Sequence, residues 1–389
     1  MSAIAASTRM APEDWRPLVS VVVPVRNEAI SIEACLERLV AQDYPNECIE
    51  ILVVDGCSED ATRTIVERFR ARHPGVALRL LENHQRTVSP AMNVGIRAAR
   101  GEVIVRMDGH AVPASDYLRA CVRALARSGA ANVGGVVVAK GATPLGEAVA
   151  LATQHPIGAG DARYRIGGRA GYVDTVPYGA FRREVFELVG LFDESLVRNQ
   201  DYEINARIRA AGGRIYFDPA IWFTYTPRGD VVALSSQYFQ YGWWKVETVR
   251  RHPRSLRSRQ LVPPTLLVFL LSTALAAPFW APAPSLLVLA LVLYLSIVGV
   301  VSYRIARPPA SPLQVLVALV ALHLSWSLGF LCNAVSRGSY PFRAGPPVVP
   351  HLVTDVCSSA GTNARRRHAF DRYHRDPWKR DSRTGGVGE

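Results

Sequence analysis

The chain has 389 residues, 49% hydrophobic and 20% charged, which is longer than one ordinary domain and too apolar for a disordered polymer. Its formal charge of +12 would by itself suggest a nucleic-acid or membrane-surface protein. Residues 1–244 hold 27 Lys/Arg against 27 Asp/Glu, so the excess lies entirely beyond them and nucleic acid is not an expected partner.

After an N-terminal tail (1–17), residues 18–25 and 49–54 read as buried β-strands. Between them, 28–42 reads as a helix with Ile32, Cys35, Leu36, Leu39 and Val40 on one face. Ser58 is expected to cap a helix over 59–70, and Ser89-Pro90 to start another, Pro being tolerated in a first turn. A further strand over 102–106 ends at Met107-Asp108-Gly109-His110. The alternation predicts an α/β domain with a mostly parallel, Rossmann-like sheet over 18–235. Asn27, Glu28, Asp55 and Asp108 then fall at carboxyl ends of strands, where open α/β sheets bind ligands. Neither G-x-G-x-x-G after the first strand nor a Walker A sequence is present, which disfavours nicotinamide and P-loop chemistry.

The first apolar run is eight residues long with no basic leader or small-residue cleavage site, so this domain is expected to stay in the cytoplasm. Six cysteines without C-x-x-C spacing fit a reduced setting and suggest neither zinc nor a disulfide framework. Residues 236–260 are predicted to be an amphipathic, basic segment lying on anionic membrane lipid. Between 261 and 336 only Arg304 and Arg307 are charged. Three apolar runs, 261–280, 285–303 and 313–335, approach the ~20 residues needed to cross a bilayer. An all-helical anchor of two or three spans is therefore expected, followed by a basic tail over 337–389. The basic stretch 250–259 before the first span places the catalytic domain on the cytoplasmic side. Three full spans would put Arg365, Arg366 and Arg367 outside, against the same rule, so the number of spans stays open.

Five motifs recur in order: Val19-Ser-Val-Val-Val-Pro-Val-Arg-Asn-Glu28, Val53-Val-Asp-Gly-Cys-Ser-Glu-Asp60, Ala91-Met-Asn-Val-Gly95, Asp108-Gly-His110 and Asn199-Gln-Asp-Tyr-Glu-Ile-Asn-Ala-Arg207. Over residues 18–245 they resemble a family 2 glycosyltransferase of the A-type nucleotide-sugar fold, and within that family the succinoglycan-biosynthesis ExoA group. The resemblance implies that Pro24, Asn27, Glu28 and Asp55 surround the nucleotide, probed further by Arg86 and Asn93. It implies that Asp108 and His110 replace the family's Asp-x-Asp and hold Mn²⁺ or Mg²⁺ on the donor diphosphate, the imidazole favouring Mn²⁺. Asp201 matches the family's general base, with Gln200 where Glu is common; as a residue type it also suits the N-cap of a helix over 202–211, and the two roles are compatible. Gly179, Phe181, Gln240 and Trp244 fall in the acceptor region, and Trp243 stands where the family carries Arg.

The function so implied is inverting transfer from a nucleotide-diphospho-sugar, UDP-linked, to a lipid-linked saccharide at the cytoplasmic membrane face, alongside polysaccharide assembly partners. Two alternatives are a polyprenyl-phosphate glycosyltransferase and a non-catalytic nucleotide-sugar-binding scaffold. The latter is motivated by the departures at His110, Gln200 and Trp243.

Overall fold

A computed structural model describes residues 11, 12 and 14–336. The expected tail 337–389, with Cys357 and Arg365–Arg367, lies outside the described residues.

The first strand, β1 (Val19–Val25), is buried along its whole length. It pairs in parallel with β2 (Ile49–Asp55) on one side and β4 (Val103–Arg106) on the other, and β2 pairs with β3 (Ala77–Glu82). Pro24 cannot donate to a ladder, yet it sits in this central strand because pairing to β4 ends at Val22. Beyond β4 the sheet becomes mixed. In the order β3-β2-β1-β4-β8-β6-β9-β5, β8 (Ala180–Arg182) runs antiparallel to both β4 and β6 (Asn132–Ala139). The long strand β9 (Ile215–Tyr225) is parallel to β6 and antiparallel to β5 (Val112–Pro113) and β7 (Gly171–Val173).

Helices cover both faces, so the alternation in sequence becomes two apolar layers. Helices α1 (Ile32–Val40), α2 (Thr62–Arg72) and α4 (Tyr117–Ser128) close one layer, with Leu36, Phe69 and Leu118 fully buried. Helix α3 (Val88–Ala98) closes the other, together with a later helix. Gly95 lets α3 approach β1: a Cβ there would stand 2.3 Å from Val22 Cγ1. Ser58 caps no helix. Its Oγ accepts from the Asn27 N–H at 2.9 Å, and α2 begins only at Thr62, whose N–H donates to Asp60 Oδ1 at 2.9 Å.

Helix α5 (Pro144–Thr153) follows β6, and α6 (Gln200–Ala210) precedes β9. The stretch expected as one interfacial segment divides. Residues Val231–Arg251 form α7, followed by two short 3₁₀ turns, Pro253–Ser255 and Ser258–Gln260. Several of its cations turn inward: Arg257 and Arg259 hold Asp174 at 3.1 and 3.2 Å, Arg251 meets Asp193, and Lys245 donates to Ser255 O. Burial drives the Lys245 ammonium down to about 7. The apolar runs then form α8 (Val262–Ala276), α9 (Ala283–Ile305) and α10 (Pro312–Ser336), each long and apolar enough to cross a membrane when the preceding turn is counted with α8.

Candidate active site

Strand order reverses between β1 and β4, and the carboxyl ends of strands at such a switch point are where open α/β sheets bind ligands. Asn27 leaves β1 in the left-handed region (φ 55°), which Asn tolerates better than most residues. Its N–H is tied to Ser58, and its Oδ1 accepts from the Glu59 N–H at 2.8 Å. Asp55, at the end of β2, is wholly buried and accepts from the Ser58 N–H and Arg63 Nη1, both at 3.1 Å. Arg63 in turn holds Glu82 at 2.8 Å. Arg86 is exposed, with φ 62°, and its Cα lies beside the Asp55-Gly56 turn. Pro24 is buried in β1. Asn93 is only 2% exposed, and its amide is spent on the 192–194 loop, donating to Phe192 O and Glu194 and accepting from the Phe192 N–H. The structure thus gathers Asn27, Glu28, Asp55 and Arg86 at one edge, and commits Asn93 to holding that loop.

The other half centres on a residue the sequence reading passed over. Arg106, the last residue of β4, is 4% exposed. It donates from Nε to Asp108 Oδ1 at 2.9 Å, from Nη2 to Asp108 Oδ2 at 3.2 Å and from Nη1 to Asp201 Oδ2 at 2.8 Å. Its guanidinium also stacks 4.8 Å over the Tyr178 ring. The Asp-Gly-His turn and the Asn-Gln-Asp turn, 93 positions apart in sequence, are joined through this one side chain. Burial alone would raise the Asp108 carboxyl, but Arg106 and then His110 outweigh it and hold it below the usual carboxylate range. Asp201 goes the other way: burial pushes it up, Arg106 only partly offsets this, and the Asp108 charge adds to the rise. Its Oδ1 is buried and meets no hydrogen-bond partner of normal geometry among the described residues. Asp201 is not the cap of α6. The helix starts at Gln200 after Asn199 in the left-handed conformation, and the Asp201 side chain is taken by Arg106.

His110 Nδ1 lies 2.9 Å from Glu28 Oε1, and Glu28 is fixed by Ser31 Oγ at 2.7 Å. Burial lowers the imidazole, yet the Glu28 bond and charge outweigh it and leave the pKa raised. A histidine that donates one ring nitrogen to a carboxylate has its other nitrogen oriented for a metal. Gly109 is required between the two donors, because a Cβ would stand 2.7 Å from Val25 Cγ1. Among the described residues no three His, Cys, Asp or Glu side chains cluster as a complete metal site. Asp108 and His110 can therefore supply two ligands at most. That fits a divalent ion whose remaining positions are filled by diphosphate oxygens and water.

Of the residues expected to meet an acceptor, Gly179 presses against Asn132, where a Cβ would stand 2.1 Å from Oδ1, and its carbonyl accepts from the Arg106 N–H. Phe181 is fully buried against Phe186 and Phe192, so it supports the site from behind and cannot touch an acceptor. Gln240 Oε1 accepts from Arg198 Nε at 3.1 Å, and Asn199 Nδ2 donates to Tyr241 O, binding α7 to the loop that carries Asp201. Trp244 is half-buried on α7. Arg228 is also brought near, electrostatically coupled to Arg198 and Glu28, with burial and then Arg198 lowering it.

A sheet that is parallel from β3 to β4 and mixed beyond, with its switch point at β1/β4, an acidic turn after β4 and a second carboxylate on a facing helix, is the arrangement of a nucleotide-sugar transferase of the A-type fold. The family model for glycosyl transferase family 2 matches residues 20–190. The chain is 30% identical over 317 residues to the succinoglycan biosynthesis protein ExoA of Rhizobium meliloti (strain 1021), covering 80% of this chain and 93% of that protein. It belongs to glycosyltransferase family 2. It is also 28% identical to a dolichyl N-acetyl-α-D-glucosaminyl phosphate 3-β-D-2,3-diacetamido-2,3-dideoxy-β-D-glucuronosyltransferase of Methanococcus voltae, over 60% of this chain and 74% of that one. Among solved structures, the mannosyltransferase PcManGT from Pyrobaculum calidifontis, in complex with GDP-Man and Mn²⁺, superposes with a TM-score of 0.61. That match covers 85% of this chain and 90% of the other at 24% identity, which shows the shared fold.

Proposed function

We propose that this glycosyltransferase inverts the anomeric centre of a nucleotide-diphospho-sugar, UDP-linked, and transfers the sugar to a hydroxyl of a lipid-linked saccharide at the cytoplasmic face of a membrane. The observation that carries the reaction is the Asp201 carboxylate: one oxygen is pinned by Arg106 at 2.8 Å, and the other is buried with no hydrogen bond of normal geometry among the described residues. A carboxylate raised by burial takes a proton more readily than one in water.

The acceptor hydroxyl gives its proton to the Asp201 carboxylate as its oxygen forms the new bond to the anomeric carbon. The bond from that carbon to the diphosphate oxygen breaks, and the nucleoside diphosphate leaves with the electron pair. A divalent ion, when bound, neutralises charge on the leaving diphosphate. Asp108 and His110 would hold it, with Glu28 fixing the imidazole. Asn27, Asp55 and Arg86 form the nucleotide end. Arg106 keeps the two acids at a fixed separation, so the leaving-group and acceptor ends are set by one buried cation.

The lipid-linked acceptor is supported by the apolar helices after residue 260, because a soluble acceptor gives no reason to hold the site at a bilayer. The printed activity of the Methanococcus voltae relative, on a dolichyl-phosphate-linked sugar, points the same way, and ExoA's role in succinoglycan biosynthesis agrees with a polysaccharide product. Membranes containing the protein, incubated with a panel of labelled UDP- and GDP-sugars and Mn²⁺ or Mg²⁺, should move label from one donor into the lipid extract as an extended lipid-linked saccharide. Label recovered only as a single sugar on a lipid phosphate, or only in water-soluble product, would refute the acceptor class.

A further inference from the structure

The three apolar helices are not alike. On α9 the exposed apolar side chains Val288, Leu289, Leu291, Val292, Leu293 and Leu295 spread over more than half of the circumference, and Tyr294, Val298 and Val301 turn to α10. On α8, Phe269, Leu271 and Leu275 are likewise open on different sides. A helix apolar on every face with few protein neighbours suits a hydrocarbon surround. On α10, by contrast, Val315, Ala318, Leu319, Leu322, Gly329 and Asn333 form one buried stripe. Leu313, Leu324, Leu328 and Val335 form an exposed stripe on the opposite side, given 100° per residue.

The buried stripe faces the catalytic domain from end to end. Near its start, Val315, Ala318 and Leu319 pack with Ala148, Val149 and Ala152 of α5 and with Leu234 of α7. In the middle, His323 bonds Ile157 O at 2.8 Å. Further on the backbones of α7 and α10 meet at a pair of glycines. A Cβ on Gly242 would stand 2.0 Å from Trp326 O, and one on Gly329 would stand 2.0 Å from Phe239 O. At the far end Asn333 donates to Trp243 O and Glu247, and accepts from Arg250. Successive contacts advance together along both helices, so α7 and α10 lie side by side in the same direction. The opposite side of α7 holds Arg198 and Asn199 beside the catalytic base. Standing α10 across a bilayer would therefore drag Glu247, Arg250 and the Asp201 loop into hydrocarbon, where each unpaired or charged group is costly.

We infer that α10 does not cross the membrane but lies along its surface, with Leu313, Leu324, Leu328 and Val335 dipped into the lipid, and that only α8 and α9 span. The occupant of the exposed stripe is the bilayer, because α8 and α9, the two spans, pack on α10. A free interfacial helix carries a charged face; α10 has no charged residue, and its other side is tied to protein instead. It forms the floor between the lipid surface and the loop holding Asp201, the position a lipid-linked acceptor must pass. Two spans also return residue 336 to the catalytic side, and the Arg-rich 337–389 then obeys the positive-inside rule that three spans break.

The inference rests on the membrane-bound reading above, and the experiment separates the two. In a bacterial host, the full chain is fused after Glu389 to green fluorescent protein, which is fluorescent only inside. A parallel fusion carries alkaline phosphatase, which is active only outside. Ala281→Cys, in the exposed link between α8 and α9, is probed in intact cells with an impermeant maleimide after the outer membrane is opened. The expected result is labelling at 281, a fluorescent tail and loss of phosphatase activity to background. Labelling at 281 with an active phosphatase tail would overturn the two-span arrangement and leave the membrane reading standing. An unlabelled 281 in protein that alkaline carbonate strips from membranes would overturn both.

Discussion

Replacing Arg106 by Gln removes the one cation that, among the described residues, hydrogen-bonds both acids of the site. The structure shows three charge-assisted hydrogen bonds, at 2.9, 3.2 and 2.8 Å, lost together with the stack on Tyr178. Breaking a buried ion pair from one side costs about 3–5 kcal/mol, because the partner charges remain buried. At ~2–4 °C per kcal/mol for a domain of this size, that is a fall of about 6–20 °C in the thermal midpoint of the full chain in detergent. The electrostatics add a second readout. Burial and the Asp108 charge both raise Asp201, and Arg106 is what opposes them, so its loss pushes Asp201 further up. The base works only when ionised, so activity falls as pH drops through that pKa, and the acidic limb of kcat moves to higher pH in the variant. Asp201→Asn removes one of the stranded charges, so Arg106→Gln made in that background should cost about 1–3 kcal/mol less than in the wild type. Arg106→Lys keeps the charge without the fork and should recover only part of either loss. A thermal midpoint and an acidic limb both unchanged in Arg106→Gln would refute the coupling.

Other outcomes follow from single contacts. In the wild-type enzyme the acidic limb of kcat/KM against pH should lie above that of an ordinary aspartate, since Asp201 is raised in the free protein; a limb below it would remove the base assignment. Glu28→Gln weakens the carboxylate that fixes His110, and should weaken Mn²⁺ activation about 10–100-fold, read as the metal concentration for half-maximal rate. Gly95→Ala should destabilise by about 1–3 kcal/mol through its clash with Val22, measured by thermal unfolding and relieved by Val22→Ala.

Much of this was legible in the sequence. The α/β alternation placed Asn27, Glu28, Asp55 and Asp108 at strand ends because apolar period and turn residues are local signals. What escaped was set by long-range packing. Arg106 was read as the end of a strand, although an Arg inside a fully buried run such as Val-Ile-Val-Arg-Met must find partners, and that signal was available. Ser58 and Asp201 both suit a helix cap by residue type, but tertiary partners claimed them: Asn27 N–H in one case, Arg106 in the other. Phe181 sits beside the acceptor region in sequence, yet strand alternation turns its ring into the core. The difference between α10 and the two helices before it depends on Gly242 meeting Gly329 from 87 positions away, and composition alone carries no trace of it.

The central claim is that Asp201 is the base of a sugar transfer. The direct measurement compares wild type and Asp201→Asn in the same membranes, following labelled sugar into lipid while nucleoside-diphosphate binding is checked in parallel. A loss of transfer of about 10²–10⁴-fold with binding retained is the result expected of a general base. Transfer at the wild-type rate in Asp201→Asn would contradict it.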